Sequence, residues 1–397
     1  PTAKRCAMAA MDTSDPQPAN PNAHLERLFP VPGEGYTWGP PEEPTYPIPE
    51  WDAFKTKVVG GHSRNVNKLA WNASGDKLAS GSDDRTCRVW SGEDDYRHSL
   101  KLDGHGDSVV QLAWDPRNNE SLATLAADKT VRLWDLREGR ARSRASIKLS
   151  HEYINVAWSP CGGYIAVGSS VGKKEGDEKD CVTVLDAKTH KATKRFKFAY
   201  EVNEFCWAPD SRHLMLTTAH GTIEVLRAVE GGPPPVEFDK ICSCDDDDIP
   251  KPHADSVWVA RAHTDACYCV DLSTDCHGPP LLAVGAKDAL VSIWDVEEMI
   301  CLRCVPRHDT PVRCVAFSRY GQFVASSAYD AGIDIADTKT AERVATVEAA
   351  HAMNSLAWHP QKPVLAYAID AKSKPDGRTR DEPPYLRLHS VPLPSGN

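Results

Sequence analysis

A histidine, a hydroxyl and a carboxylate recur at fixed offsets along the chain: His62, Ser80 and Asp84, then His105, Thr124 and Asp128. These are the parts of a hydrolase triad, in which imidazole takes the proton of a hydroxyl and a carboxylate orients the imidazole. A fourth residue changes the reading. Trp90 and Trp134 follow at matching distances, and an indole N–H occupies the hydroxyl's acceptor. No strained G-x-S-x-G nucleophile turn accompanies either set. The pattern therefore reads as one hydrogen-bonded chain, from carboxylate through imidazole and hydroxyl to indole, that joins neighbouring strands. His263, Asp288 and Trp294 give a third copy. Losing one member would leave buried polar atoms unpaired, at roughly 1–3 kcal/mol each. No catalytic residue is assigned.

Other chemistry-bearing groups are weaker. Cys242, Cys244, His253 and His263 suggest zinc, but C-x-C is a poor spacing for a ribbon and His263 already has Asp288. Cys301 and Cys304 form a C-x-x-C after a strand end without a second pair, which reads as structural or incidental. GSSVGKK, residues 168–174, is one residue short of a phosphate loop and no helix follows. Asp245 to Asp248 form an acidic run whose simplest reading is a solvated loop, with a dock for a basic tail as the alternative. No metal, cofactor or small-molecule substrate is expected, and a propeller enzyme would need convergent carboxylates or a metal cluster that the sequence does not offer.

Two basic stretches are candidate contacts for RNA phosphates or an acidic partner. REGRARSRASIK alternates Arg140, Arg142 and Arg144, which a strand would place on one face. KTHKATKRFKF carries Lys194, Arg195 and Lys197 interleaved with Phe196 and Phe198. The competing reading is that exposed outer strands carry charge to prevent edge pairing. Lys287 and Tyr329 each precede a turn aspartate and belong on the rim where partners would dock.

The elements that must position these groups repeat. LASGSDDRTCRVW (Leu78 to Trp90) returns as LATLAADKTVRLW and LAVGAKDALVSIW. An earlier mark ends at Trp71, Trp114, Trp158, Trp207, Leu272, Phe317 and Trp358, which makes seven repeats. A period of roughly 40–45 residues, built of short β-rich runs and turn residues, is that of four-stranded propeller blades. The expected fold is all-β, a seven-bladed β-propeller over residues 55–397, with insert loops near 171–180, 231–256 and 371–384. Residues 1–54 are Pro-rich and expected to be extended or disordered, with TYPIPEW (Thr45 to Trp51) able to lie against the ring. Repeat seven lacks a strand of its own, and Lys55 to Val59 can supply it and close the ring.

The chain carries a net charge of −10, which argues against a uniformly basic nucleic-acid surface. Its 13 cysteines are odd in number and several lie in apolar runs, so a reducing, intracellular setting is expected. No secretion signal and no membrane-spanning apolar run is apparent.

The Gly-His and Trp-Asp units resemble the WD-repeat family. The less regular repeats, in which Leu185, Leu226, Ala336 and His389 replace the terminal tryptophan, narrow the resemblance. VTVLDAKTHKATKRFKFAYEVNEFCWAPD (Val182 to Asp210), DALVSIWDVEEMICLRC (Asp288 to Cys304), AYDAGIDIADTKTAE (Ala328 to Glu342) and LAWHPQKPVLAYAIDAK (Leu356 to Lys372) are similar to the WD-repeat subunits of the THO complex. These belong to the TREX assembly, which couples transcription to messenger RNA export. The long acidic insert and the Pro-rich start depart from that family's core. The resemblance implies a nuclear, non-catalytic scaffold docked on large helical THO subunits, with RNA contact weak or indirect. The alternative is a WD-repeat adaptor of another nuclear assembly, such as a chromatin or ubiquitin-ligase substrate receptor.

Overall fold

The structure is a computed structural model that describes residues 54–137, 141–149, 154–169, 181–229, 251–273, 279–330, 332–349, 351–370 and 386–390. Arg140, Thr45–Trp51, Cys242, Cys244, Asp245–Asp248 and the inserts at 171–180 and 371–384 lie outside them, as does most of the 231–256 insert.

The described residues form twenty-eight strands in seven four-stranded antiparallel sheets. After β1 (Lys55–Val59), blade 1 is β2 (Val66–Trp71), β3 (Lys77–Ser82), β4 (Cys87–Ser91) and β5 (Ser99–Leu102). Blade 2 is β6 (Val109–Trp114), β7 (Ser121–Ala126), β8 (Thr130–Asp135) and β9 (Arg142–Lys148). Blade 3 is β10 (Asn155–Trp158), β11 (Tyr164–Ser169), β12 (Cys181–Asp186) and β13 (Ala192–Lys197). Blade 4 is β14 (Val202–Trp207), β15 (His213–Thr218), β16 (Thr222–Arg227) and β17 (Ser256–Arg261), so Ser256 belongs to a strand and not to the insert. Blade 5 is β18 (Cys267–Ser273), β19 (Leu281–Ala286), β20 (Val291–Asp295) and β21 (Ile300–Val305). Blade 6 is β22 (Val312–Phe317), β23 (Phe323–Ala328), β24 (Ile333–Asp337) and β25 (Arg343–Val347). Blade 7 is β26 (Met353–Trp358), β27 (Val364–Ile369) and β28 (Leu386–Ser390), completed by β1, whose Lys55 stands opposite Ser390 and Val59 opposite Leu386. The first strand thus becomes the outer strand of the last blade.

A blade has two apolar faces and cannot bury them alone. Seven hydrophobic clusters form, and each is shared by two neighbouring blades. Second strands such as β7 and β15 are buried at every position, whereas the outer strand β9 is mostly exposed. Six of the seven repeat marks end the inner strands, and Leu272 stands one residue before the end of β18. The tryptophan slot keeps one register throughout: Trp90, Trp134, Leu185, Leu226, Trp294, Ala336 and His389 pair with equivalent second-strand residues. Glycine on the second strand lets blades approach. A Cβ on Gly81 would meet Val109 Cγ1 at 2.8 Å, and one on Gly285 would meet Val312 Cγ1 at 2.6 Å.

Candidate interaction face around the channel mouth

The histidine networks form as single chains. His62 Nδ1 donates to Asp84 at 2.8 Å, Ser80 Oγ lies 2.8 Å from His62 Nε2, and Trp90 Nε1 donates to Ser80 Oγ at 2.9 Å. Carboxylate acceptance fixes the proton on Nδ1 and leaves Nε2 to accept from the hydroxyl. Blade 2 repeats this with His105, Asp128, Thr124 and Trp134, at 3.0, 2.8 and 2.8 Å. Ser80 and Thr124 are fully buried, so neither hydroxyl can meet a substrate. Burial alone would raise the Asp84 carboxyl, but hydrogen bonds from His62 and Thr86 hold it well below the usual range. Desolvation lowers His105 and His263, which favours their neutral form.

Blade 5 solves the same problem from another strand. Val284 occupies the hydroxyl position, and Ser292, two residues before Trp294, bridges His263 Nε2 and Trp294 Nε1 at 2.8 Å each. Blade 6, which has no tryptophan, keeps His308 on Ser326 at 2.8 Å and places Asp334 between Arg307 and Arg343. Blade 4 buries Glu224 between Tyr200 and Ser256 instead. The residue two before the tryptophan slot carries these replacements, a signal present in the sequence but visible only once the strands are aligned.

Inner strands β2, β6, β10, β14, β18, β22 and β26 touch in sequence around the ring and enclose a channel of about 570 Å³. Each is an edge strand, so its unpaired backbone groups must find partners. The Trp71, Trp114 and Trp207 indoles donate to the Ala357, Ala70 and Ala157 carbonyls of the preceding blade, at 3.2, 2.9 and 3.1 Å. Ser355 Oγ accepts Leu69 N–H at 3.0 Å, and Glu204 Oε2 accepts Val270 N–H at 3.0 Å. Glu204 also pairs with Lys68 at 3.5 Å. Burial disfavours charge on Lys68, but Glu204, Cys314 and Asp271 outweigh it and hold the ammonium above the ordinary lysine range.

Six of the inner strands carry a one-residue register shift near their starts, with Asn67, Val110, Asn203, Tyr268, Arg313 and Asn354 as the extra residues. A bulge re-aims the inserted side chain, and here all six line the channel. Asn67, Asn203 and Asn354 donate to the Val109, Cys267 and Val66 carbonyls of the following blade at 3.0, 2.7 and 3.1 Å. Arg313 pairs with Asp370 at 3.1 Å and lies 4.7 Å from the centroid of the Tyr329 ring. Tyr329 is 56 % exposed and Ile154 42 %, giving this face large apolar side chains in water. Lys287 is engaged by Asp265 at 3.0 Å.

The basic margin is smaller than the sequence suggests. Ladder β8–β9 shifts register between Leu133 and Trp134, making Arg144 a bulge residue, so strict alternation with Arg142 is broken although both are exposed. Lys194 is committed to Asp255 and the Arg227 carbonyl of blade 4, each at 3.0 Å. Phe196 and Phe198 are buried and offer no ring to a base. Arg195 and Lys197 remain exposed. His253 accepts Asp255 N–H at 3.0 Å and His263 stays with Asp288, so neither histidine is set as a zinc ligand.

This is a closed WD-type propeller. The profile described as "WD domain, G-beta repeat" matches residues 54–91, 97–135, 254–295 and 299–335. THO complex subunit 3 of Arabidopsis thaliana is 38 % identical over 336 residues, covering 84 % of this chain and 94 % of that protein. The chain belongs to the WD40-repeat family of β-propeller scaffolds, and within it is homologous to that subunit. WD repeat-containing protein AAC3 of Dictyostelium discoideum is 28 % identical over 356 residues, 84 % of this chain and 66 % of its own. Among solved structures, the β-propeller domain of Cps50 (Swd1) from Myceliophteria thermophila superposes with a TM-score of 0.64 at 17 % identity, covering 85 % of this chain and all of that one, a likeness of fold.

Proposed function

We propose that this propeller is the WD-repeat subunit of a THO-type complex in the nucleus, a scaffold that supports messenger ribonucleoprotein assembly during transcription and nuclear mRNA export. The observation that carries the reading is the extent of the likeness. The repeat profile accounts for four segments, yet the similarity to THO complex subunit 3 runs over 336 residues and so reaches into the irregular blades. Likeness over that length extends beyond the segments that the repeat profile matches. Partners are the large helical subunits of such a complex, held through protein contacts, with the channel-mouth face around Tyr329 and Ile154 as the docking candidate. Any RNA contact falls to Arg142, Arg144, Arg195 and Lys197.

Affinity purification of the full chain from nuclear extract, followed by mass spectrometry, tests this. Recovery of helical THO subunits in near-equal amounts supports it. Recovery of chromatin or ubiquitin-ligase subunits in their place moves the propeller to the adaptor reading.

A further inference from the structure

Outer strand β21 carries two thiols on one side of blade 5. In a regular strand, residues three apart point to opposite faces, which would separate Cys301 from Cys304. The ladder to β20 shifts register instead. Trp294 stands opposite Cys301 and Ile293 opposite Arg303, leaving Leu302 as the extra residue of a bulge. One inserted residue turns an odd spacing into an even one, and Cys301 Sγ lies 3.9 Å from Cys304 Sγ. The pair therefore sits within a strand and not after one. Both residues are exposed, whereas Cys87, Cys181, Cys267 and Cys269 are buried. A disulfide spans about 2.05 Å between sulfurs, so closure asks for about 2 Å of movement, in a strand with one ladder partner.

We propose that Cys301 and Cys304 are a vicinal dithiol that closes reversibly to an intramolecular disulfide by exchange with a low-molecular-weight disulfide of the glutathione class. Burial of its sulfur and the neighbouring thiol push Cys301 up to about 11, and the 3.9 Å separation lets either sulfur resolve a mixed disulfide formed on the other. With Cys304 attacking first, its thiolate, the proton released to water, attacks one sulfur of the small disulfide and expels the other as a thiolate, which is then protonated. Cys301 next releases its proton and attacks Cys304 Sγ, expelling the second small thiolate. Two protein thiols and one small disulfide become one protein disulfide and two small thiols, with two electrons passing to the small molecule.

The full-length protein is equilibrated in mixtures of oxidised and reduced glutathione, blocked by alkylation and digested with trypsin. Cleavage after Arg303 separates the two cysteines, so the closed form appears as peptide 288–303 joined to 304–307, two hydrogens lighter than the sum of the unmodified peptides, whereas the open form gives the two peptides separately, each alkylated. The joined pair should dominate in oxidised mixtures within the band that migrates as a monomer. Its ratio to the open pair should fall about tenfold for each tenfold drop in the ratio of oxidised glutathione to squared reduced glutathione. Cys301→Ser should abolish it and hold glutathione on Cys304, and Cys304→Ser should abolish it as well. Separate glutathione adducts on both cysteines without a joined pair, or a joined pair confined to a dimer band, overturns the proposal.

Discussion

Asp271 Oδ2 accepts the backbone N–H of Phe317 at 2.7 Å, across the junction between blades 5 and 6. At the equivalent junction between blades 1 and 2 the Ala70 carbonyl accepts the indole of Trp114. Phe317 has no indole to offer. The crossing bond keeps its direction, from the following blade to the preceding one, but exchanges roles: a main-chain N–H of blade 6 now donates to a side-chain carboxylate of blade 5.

That carboxylate gives the molecule a readable pH response. Desolvation raises Asp271 to about 6, against 3.8 for a free side chain. The folded chain keeps the proton through that window while the unfolded chain releases it. The contribution to stability is therefore complete below about pH 4 and is lost as pH rises through about 6. Asp271→Asn removes the ionisation and keeps an acceptor for Phe317. Relative to the parent it should gain on the order of 1–3 kcal/mol between about pH 4 and pH 7, read by denaturant unfolding at each pH. A difference that stays flat across the range would show that the acid is not raised.

The relocated hydroxyl of blade 5 predicts a rescue. Ser292→Ala strips partners from His263 and Trp294 and should cost roughly 1–3 kcal/mol, about what Ser80→Ala costs in blade 1. Adding Val284→Ser places a hydroxyl where Ser80 and Thr124 stand in their blades and should recover most of that loss. Chemical denaturation of the single and double variants decides it. No recovery would mean that blade 5 is not wired like its neighbours.

Gly285 is a clearance position. A methyl there would lie 2.6 Å from both Cys269 Sγ and Val312 Cγ1. Gly285→Ala is expected to destabilise by about 1–3 kcal/mol through overpacking, and Val312→Ala in the same chain should return part of it. Purely additive losses in the double-mutant cycle would contradict the contact.

Ring closure can be tested by separation. A chain beginning after Val59 loses the ladder to β28 and exposes that edge, so it should unfold at markedly lower denaturant concentration and aggregate. A synthetic peptide covering 54–61, added in excess, should restore the transition in a concentration-dependent way. An unchanged midpoint without β1 would mean the six complete blades and a three-stranded seventh suffice.

Charge reversal at Arg142 and Arg144 separates scaffold from RNA contact. If those residues meet phosphates, nuclease-sensitive RNA recovery should drop several-fold while helical partners are retained, and the salt dependence should flatten. Loss of the protein partners with RNA recovery unchanged assigns the strand to subunit docking.

Much of the architecture was readable because its marks are large and periodic. Trp71, Trp114, Trp158, Trp207 and Trp358 end inner strands, and the missing strand of repeat seven pointed to Lys55–Val59 as the closing strand. The His62 and His105 chains were readable because four residue types recur together. Single-residue register shifts were not readable. A bulge at Arg144 or Leu302 changes which side chains share a face without altering composition or repeat length. Commitments that cross blades were hidden as well: nothing near Lys194 in sequence announces Asp255, 61 positions away. Ser292 was missed because its hydroxyl sits on the adjoining strand, where an offset comparison does not look.

Joining β1 to β28 also sets a clock on biosynthesis. Thr56 meets His389 across a separation of 333 positions. At ribosomal speeds of 5–20 residues per second, about 15–70 s pass between the emergence of one and of the other. Through that interval the first blade lacks its seventh neighbour and β1 has nothing to pair with. The cell must shield a half-made circle until its last strand is delivered.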